Sequence, residues 1–88
     1  MSVESTPSIV ARRAEIDALD EEIISLLEQR VTLSRQIQQI RMGVGGSRLA
    51  AAREQRIVQR YADRLGERGT QLAGLVLELS RGSMGSGR

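Results

Sequence analysis

Between Ile9 and Met42 the chain carries neither Gly nor Pro, and its apolar residues recur at helical spacing throughout. The run predicts one helix of about 33 residues, opened by Pro7 or Ser8 and about 50 Å long at about 1.5 Å per residue. Asp17, Asp20, Glu21 and Glu22 load its first half with negative charge and Arg35 and Arg41 its second half, in the sense the helix macrodipole favours. A rod of this length constrains everything after it. The three glycines of GVGGS, residues 43 to 47, end the helix, and Ser47 can cap a second one over about Arg48 to Leu65, with Ala50, Ile57, Tyr61 and Leu65 as its inward side. Gly66 to Gly69 reads as the next loop. Thr70 then caps a third helix whose stripe is Leu72, Leu75, Val76 and Leu79.

Two shorter helices cannot cover the long one over its whole length. The expected fold is all-α, with three helices per chain, one long and two shorter, closed by a second copy into an intertwined, twofold-symmetric homodimer. Residues 1–8 read as a flexible leader, 9–82 as the helical domain and 83–88, rich in Gly and Ser, as a flexible tail. Composition agrees. With 88 residues, 40% hydrophobic content and one aromatic residue, the chain can build one small aliphatic core, and it has no Cys for disulfides and no His or Cys cluster for a metal. Association is the remaining way to cover apolar surface. The first residues lack a basic region followed by an apolar one, and no stretch approaches the length of a membrane span, so a soluble, cytoplasmic protein is expected.

All 13 basic residues are Arg. A guanidinium stays charged near neutral pH and grips carboxylates with a two-pronged fork, so the inventory suits anion recognition where several converge. Two of them stand in line with the apolar seam. With Arg30 at zero on a helical wheel, Ile23 falls near about 20°, Leu26 near about −40°, Ile37 near about −20° and Arg41 near about 20°. Arg30 and Arg41 thus share the greasy face about 16 Å apart, with Ser34 and Ile37 between them. The second helix repeats the anomaly, because Arg53 lies one turn before Ile57 and Glu54 sits beside it. Burying unpaired guanidinium groups is costly, and this face offers one carboxylate against three of them. A bound dianion would complete the charge. Arg13 stands about 25 Å before Arg30 on the same helix and cannot serve that hollow within one chain, but in an antiparallel pair of long helices it would enter the partner's.

Plainer readings exist for each residue. A single inward-phased Arg can snorkel, its stem on apolar surface and its head in water. Arg48, Arg56, Arg60, Arg64 and Arg68 read as a solvated face, and Tyr61 and the leucines of the third helix as core. A net charge of +2, interleaved acids and a single aromatic argue against nucleic acid. The glycines after Arg41 follow no strand and lack the GK[ST] ending of a phosphate loop.

The pattern R-x-E-I-D-x-L-D-x-x-I-I-x-L-L-x-x-R from Arg13 to Arg30, followed by Arg41 and the pair Arg53 and Glu54, resembles the all-helical chorismate mutases. The segment R-M-x-x-G-G-[ST]-R-L at 41–49 looks most like their small actinobacterial-type subclass, and the resemblance covers about residues 9 to 82. It implies an intertwined homodimer with two active sites that rearranges chorismate to prephenate in shikimate-derived aromatic biosynthesis. No cofactor and no metal are implied, since the reaction is pericyclic. Arg13 from the other subunit and Arg30 would clamp substrate carboxylates, Arg41 would meet the breaking ether oxygen, Glu54 beside Arg53 would hold the ring hydroxyl, and Ala50 would line the pocket. Relatives place a polar Gln or Glu near the end of the last helix to cap the ether oxygen, where this chain offers Glu78 and Ser83 before a Gly- and Ser-rich end. Some members of the subclass are activated by DAHP synthase through their C-terminal segment, and the ending S-M-G-S-G-R here departs from their R-L-G-H type. The same scaffold also serves isochorismate pyruvate lyases, and a non-catalytic regulatory or dimerisation module is the alternative of another class.

Overall fold

The computed structural model describes residues 2–41 and 47–82 and, among them, is all-helical: α1 spans Pro7–Arg41, α2 Ser47–Leu65 and α3 Glu67–Gly82. Met42, the glycine run after it and the tail from Ser83 lie outside the described residues, as do the side chains of Ser47, Arg48 and Leu49; the proposed cap at Ser47, the tail and Ser83 therefore receive no structural account.

A short 3-10 turn, Val3–Ser5, precedes α1, and the Ser2 side chain accepts a hydrogen bond from the Glu4 backbone N–H. Thr6 is extended, as a residue before proline prefers, and its carbonyl accepts from the backbone N–H groups of Ile9 and Val10 at 3.0 Å each. Pro7 then occupies the first helical position, where a missing N–H costs nothing. The helix runs 35 residues without a break and ends on Arg41, a cation at the negative pole of the dipole.

The connection between α2 and α3 is tighter than the expected loop from Gly66 to Gly69. Gly66 alone reverses the chain, with φ at 81°, in the left-handed region that glycine enters without strain; its N–H donates to the Ala62 carbonyl at 2.8 Å, and α3 starts at the next residue. Gly69 belongs to the first turn of α3 and is buried, and a Cβ there would lie 2.4 Å from the Tyr61 carbonyl oxygen. The glycine is needed for close approach of two helices, not for a loop. Thr70 accordingly sits inside α3 and not at its start.

The third helix packs on both of the others. Its inward face is Gly69, Ala73, Val76, Leu77 and Ser80, which replaces the expected stripe: Leu72, Leu75 and Leu79 point outward and only Val76 is common to both. On α2, Ile57 is buried and Ala50 and Tyr61 are half-buried, while Leu65, expected inward, is exposed. The described core of one chain is thus four apolar side chains, Ile57, Ala73, Val76 and Leu77. The long helix buries none of its residues, and Ile16, Leu19, Ile23 and Leu26 are each more than half exposed along it. The radius of gyration, 17.6 Å, exceeds the roughly 12 Å of a compact domain of this length.

Candidate active site

Where α1, α2 and α3 meet, they enclose a cavity of about 310 Å³. Each helix contributes one face at three-and-four spacing: Arg30, Leu33, Ser34, Ile37, Gln38 and Arg41 from α1, Ala50, Arg53, Glu54 and Ile57 from α2, and Leu77, Ser80 and Arg81 from α3. The walls are mixed, with Leu33, Ile37, Ala50, Ile57 and Leu77 as their aliphatic part and polar or charged side chains as the rest. Four guanidinium groups and one carboxylate project among them, so the lining carries a formal excess of positive charge that one dianion would largely offset.

The structure brings Arg30, Arg41, Ala50, Arg53 and Glu54 together around this hollow and leaves Arg13 out of it. Arg30, Arg41, Ala50 and Glu54 are half-buried; Arg53 reaches the cavity from an exposed position. Arg13 instead ion-pairs with Glu4 near the start of α1, and both side chains there are largely in water. The 17-residue step from Arg13 to Arg30 keeps them about 25 Å apart along the rod.

Two lining residues outside the set expected from the sequence make side-chain bonds between helices. Ser80, buried on the inner face of α3, accepts a 2.6 Å hydrogen bond from Arg30 Nη1 and donates to the Val76 carbonyl at 3.0 Å. Arg81 donates from Nη1 to Glu54 Oε2 at 2.8 Å, an ion pair between positions 27 apart in the sequence that ties α2 to the end of α3. Glu78, considered as a polar cap, is exposed and does not line the cavity. A signal for Ser80 existed: it falls in phase with Ala73, Val76 and Leu77, where an aliphatic residue would be expected. Arg81 carried no such mark, because an Arg in the last turn of a helix is ordinary.

Three helical faces meet here on a hollow into which four guanidinium groups project, in an all-α fold. The chain belongs to the family of type II chorismate mutases, whose pattern it matches over residues 12–80. It is 42% identical over 84 residues to the intracellular chorismate mutase of Mycolicibacterium smegmatis, covering 96% of this chain and 81% of that one. To the intracellular chorismate mutase of Mycobacterium tuberculosis it is 44% identical over 79 residues, 90% of this chain and 74% of the relative, and the Mycobacterium bovis protein gives the same values.

Proposed function

We infer that the chain is a chorismate mutase, an isomerase converting chorismate to prephenate, and that the cavity between its three helices is where the rearrangement occurs. The observation that carries this reading is the convergence of Arg30, Arg41, Arg53 and Glu54 on one hollow between the three helices in a member of this family. In the reaction one ether C–O bond breaks as one C–C bond forms within the same molecule, so no atom enters or leaves and no nucleophile is needed. The barrier falls through geometry and charge. Arg30 clamps a carboxylate and helps hold the flexible ether folded in its reactive conformer, which removes much of the entropic cost of the step. Arg41 faces the ether oxygen, where negative charge develops, and a preorganised cation in an apolar wall stabilises that charge more than water does. Glu54 accepts from the ring hydroxyl, Arg53 beside it adds a further cation facing the dianion, and Ala50 leaves room for the ring.

The second carboxylate is clamped by Arg13 of a second copy. The exposed stripe along α1, with Ile16 and Leu19 both at 55% and Ile23 at 52%, gives the surface for an antiparallel pairing. A core of four buried apolar side chains is small for a chain of 88 residues, and burying that stripe in an isologous dimer makes up the deficit. Such pairing sets the beginning of one α1 beside the middle of the other. We place the protein in the cytoplasm: its relatives are called intracellular, and no described helix is long and apolar enough to cross a membrane.

The test is turnover of chorismate by the purified chain with product analysis. Accumulating prephenate is the expected result. Release of pyruvate and salicylate from isochorismate would assign the lyase reaction instead, and turnover of neither would leave a non-catalytic module.

A further inference from the structure

We propose that Ser80 is a positioning residue of this site, a buried hydroxyl that braces the Arg30 guanidinium in the orientation that receives a substrate carboxylate. The proposal rests on the reading of the cavity given above. Arg30 projects from a helix that buries none of its own residues, so α1 provides little packing to fix a side chain with four rotatable bonds. The fixing contact comes from 50 residues away, where the Ser80 hydroxyl accepts from Arg30 Nη1 at 2.6 Å. A hydroxyl has one donor and two acceptor lone pairs, and Ser80 gives its hydrogen to the Val76 carbonyl at 3.0 Å. What it presents to the cavity is therefore an acceptor, the polarity a guanidinium requires. Ser80 is 4% exposed and sits among Ala73, Val76 and Leu77, where an alkyl side chain would satisfy packing alone. Arg30 gives up one of its five N–H groups to this bond and keeps four for an anion.

A serine bonding to the carbonyl one turn back is common in helices, and that local bond alone would make Ser80 structural. The two roles separate experimentally. Loss of the brace leaves Arg30 to be ordered at the moment of binding, a cost that corresponds to an increase of about three- to tenfold in KM for chorismate with kcat changed by less than about twofold. The variants are S80A and the pair S80T and S80V, which share a shape and differ in the hydroxyl. Each is measured for KM, kcat and thermal midpoint, together with the 15N relaxation of the Arg30 side chain in protein without added chorismate. The expected result is a raised KM and a mobile Arg30 in S80A and S80V, with S80T close to the parent in both. An unchanged KM and an equally ordered Arg30 in S80A and S80V, with any effect confined to the thermal midpoint, would overturn the brace. An Arg30 that loosens in S80A and S80V, in a parent protein that does not turn over chorismate, would uphold the brace and sink the functional reading.

Discussion

Glu54 and Arg81 form a 2.8 Å ion pair at the cavity, so the carboxylate assigned to the ring hydroxyl is held by the last turn of α3. Both side chains remain substantially in water, 41% and 48% exposed, and such pairs contribute less than about 1 kcal/mol to folding. Their consequence lies in the site. Arg81→Gln is expected to leave the thermal midpoint within a few degrees of the parent and to lower kcat/KM for chorismate by about three- to tenfold, through loss of one cation from the lining and of the contact that orients Glu54. Steady-state kinetics beside a melting curve checks both halves.

Arg41 ends α1 and, among the described residues, makes no hydrogen bond or ion pair with another side chain, so its removal should cost folding no more than the ~0.3–1 kcal/mol of a cation at the helix's negative pole. Opposite a developing charge in an apolar hollow, one such donor is worth about 10²–10³ in rate. Arg41→Ala should therefore reduce kcat by about that factor while the circular-dichroism melt shifts by no more than a few degrees. A smaller loss confined to KM would move Arg41 from transition-state stabilisation to simple binding.

Two glycines of α3 are expected to respond oppositely to alanine. At Gly69 the new Cβ would meet backbone atoms of Tyr61 at 2.4 and 2.9 Å, and overpacking of this kind costs about 1–3 kcal/mol. At Gly74 nothing lies within 4 Å, and replacing an exposed mid-helix glycine stabilises by about 0.5–1 kcal/mol. Denaturant titrations of G69A and G74A should move the midpoint down and up respectively.

Charge placed on the open stripe of α1 should act on association. Ile23 is 52% exposed in the single chain, so Ile23→Asp would be nearly neutral for an isolated molecule. In the proposed dimer the same carboxylate would be buried unpaired, at a cost of several kcal/mol. Sedimentation equilibrium should show a shift from dimer to monomer at micromolar concentration, together with a lower thermal midpoint.

How far the sequence could be read follows from which signals were loud. The long helix was legible because nothing in 35 residues interrupts it. The convergence of Arg30, Arg41, Arg53 and Glu54 was legible because permanent charges in phase with Ile37 and Ile57 violate the pattern of an ordinary core face. The third helix misled for a definite reason. Its inner face consists of Gly69, Ala73, Val76, Leu77 and Ser80, residues mostly small and weakly hydrophobic, while its leucines at 72, 75 and 79 face outward. A helix with two apolar faces offers two periodic stripes, and hydropathy alone selects the bulkier one. The contributions of Ser80 and Arg81 were hidden by the same misphasing, since the position of their side chains depends on which face of α3 meets α1. The turn at Gly66 was overextended because two glycines three residues apart look like one loop, although one reverses the chain and the other admits a close helix contact.

If each cavity requires Arg13 from the other subunit, as proposed, activity should be recoverable by subunit complementation. Arg13→Ala and Arg41→Ala proteins, each strongly impaired alone, are unfolded together in equal amounts, refolded and assayed with chorismate. Random pairing makes about half of the dimers mixed, and in each mixed dimer one site regains an intact Arg41 and an intact Arg13 from opposite chains, so activity should rise to about a quarter of the parent. A mixture no more active than the average of the two variants assayed separately would contradict a shared site.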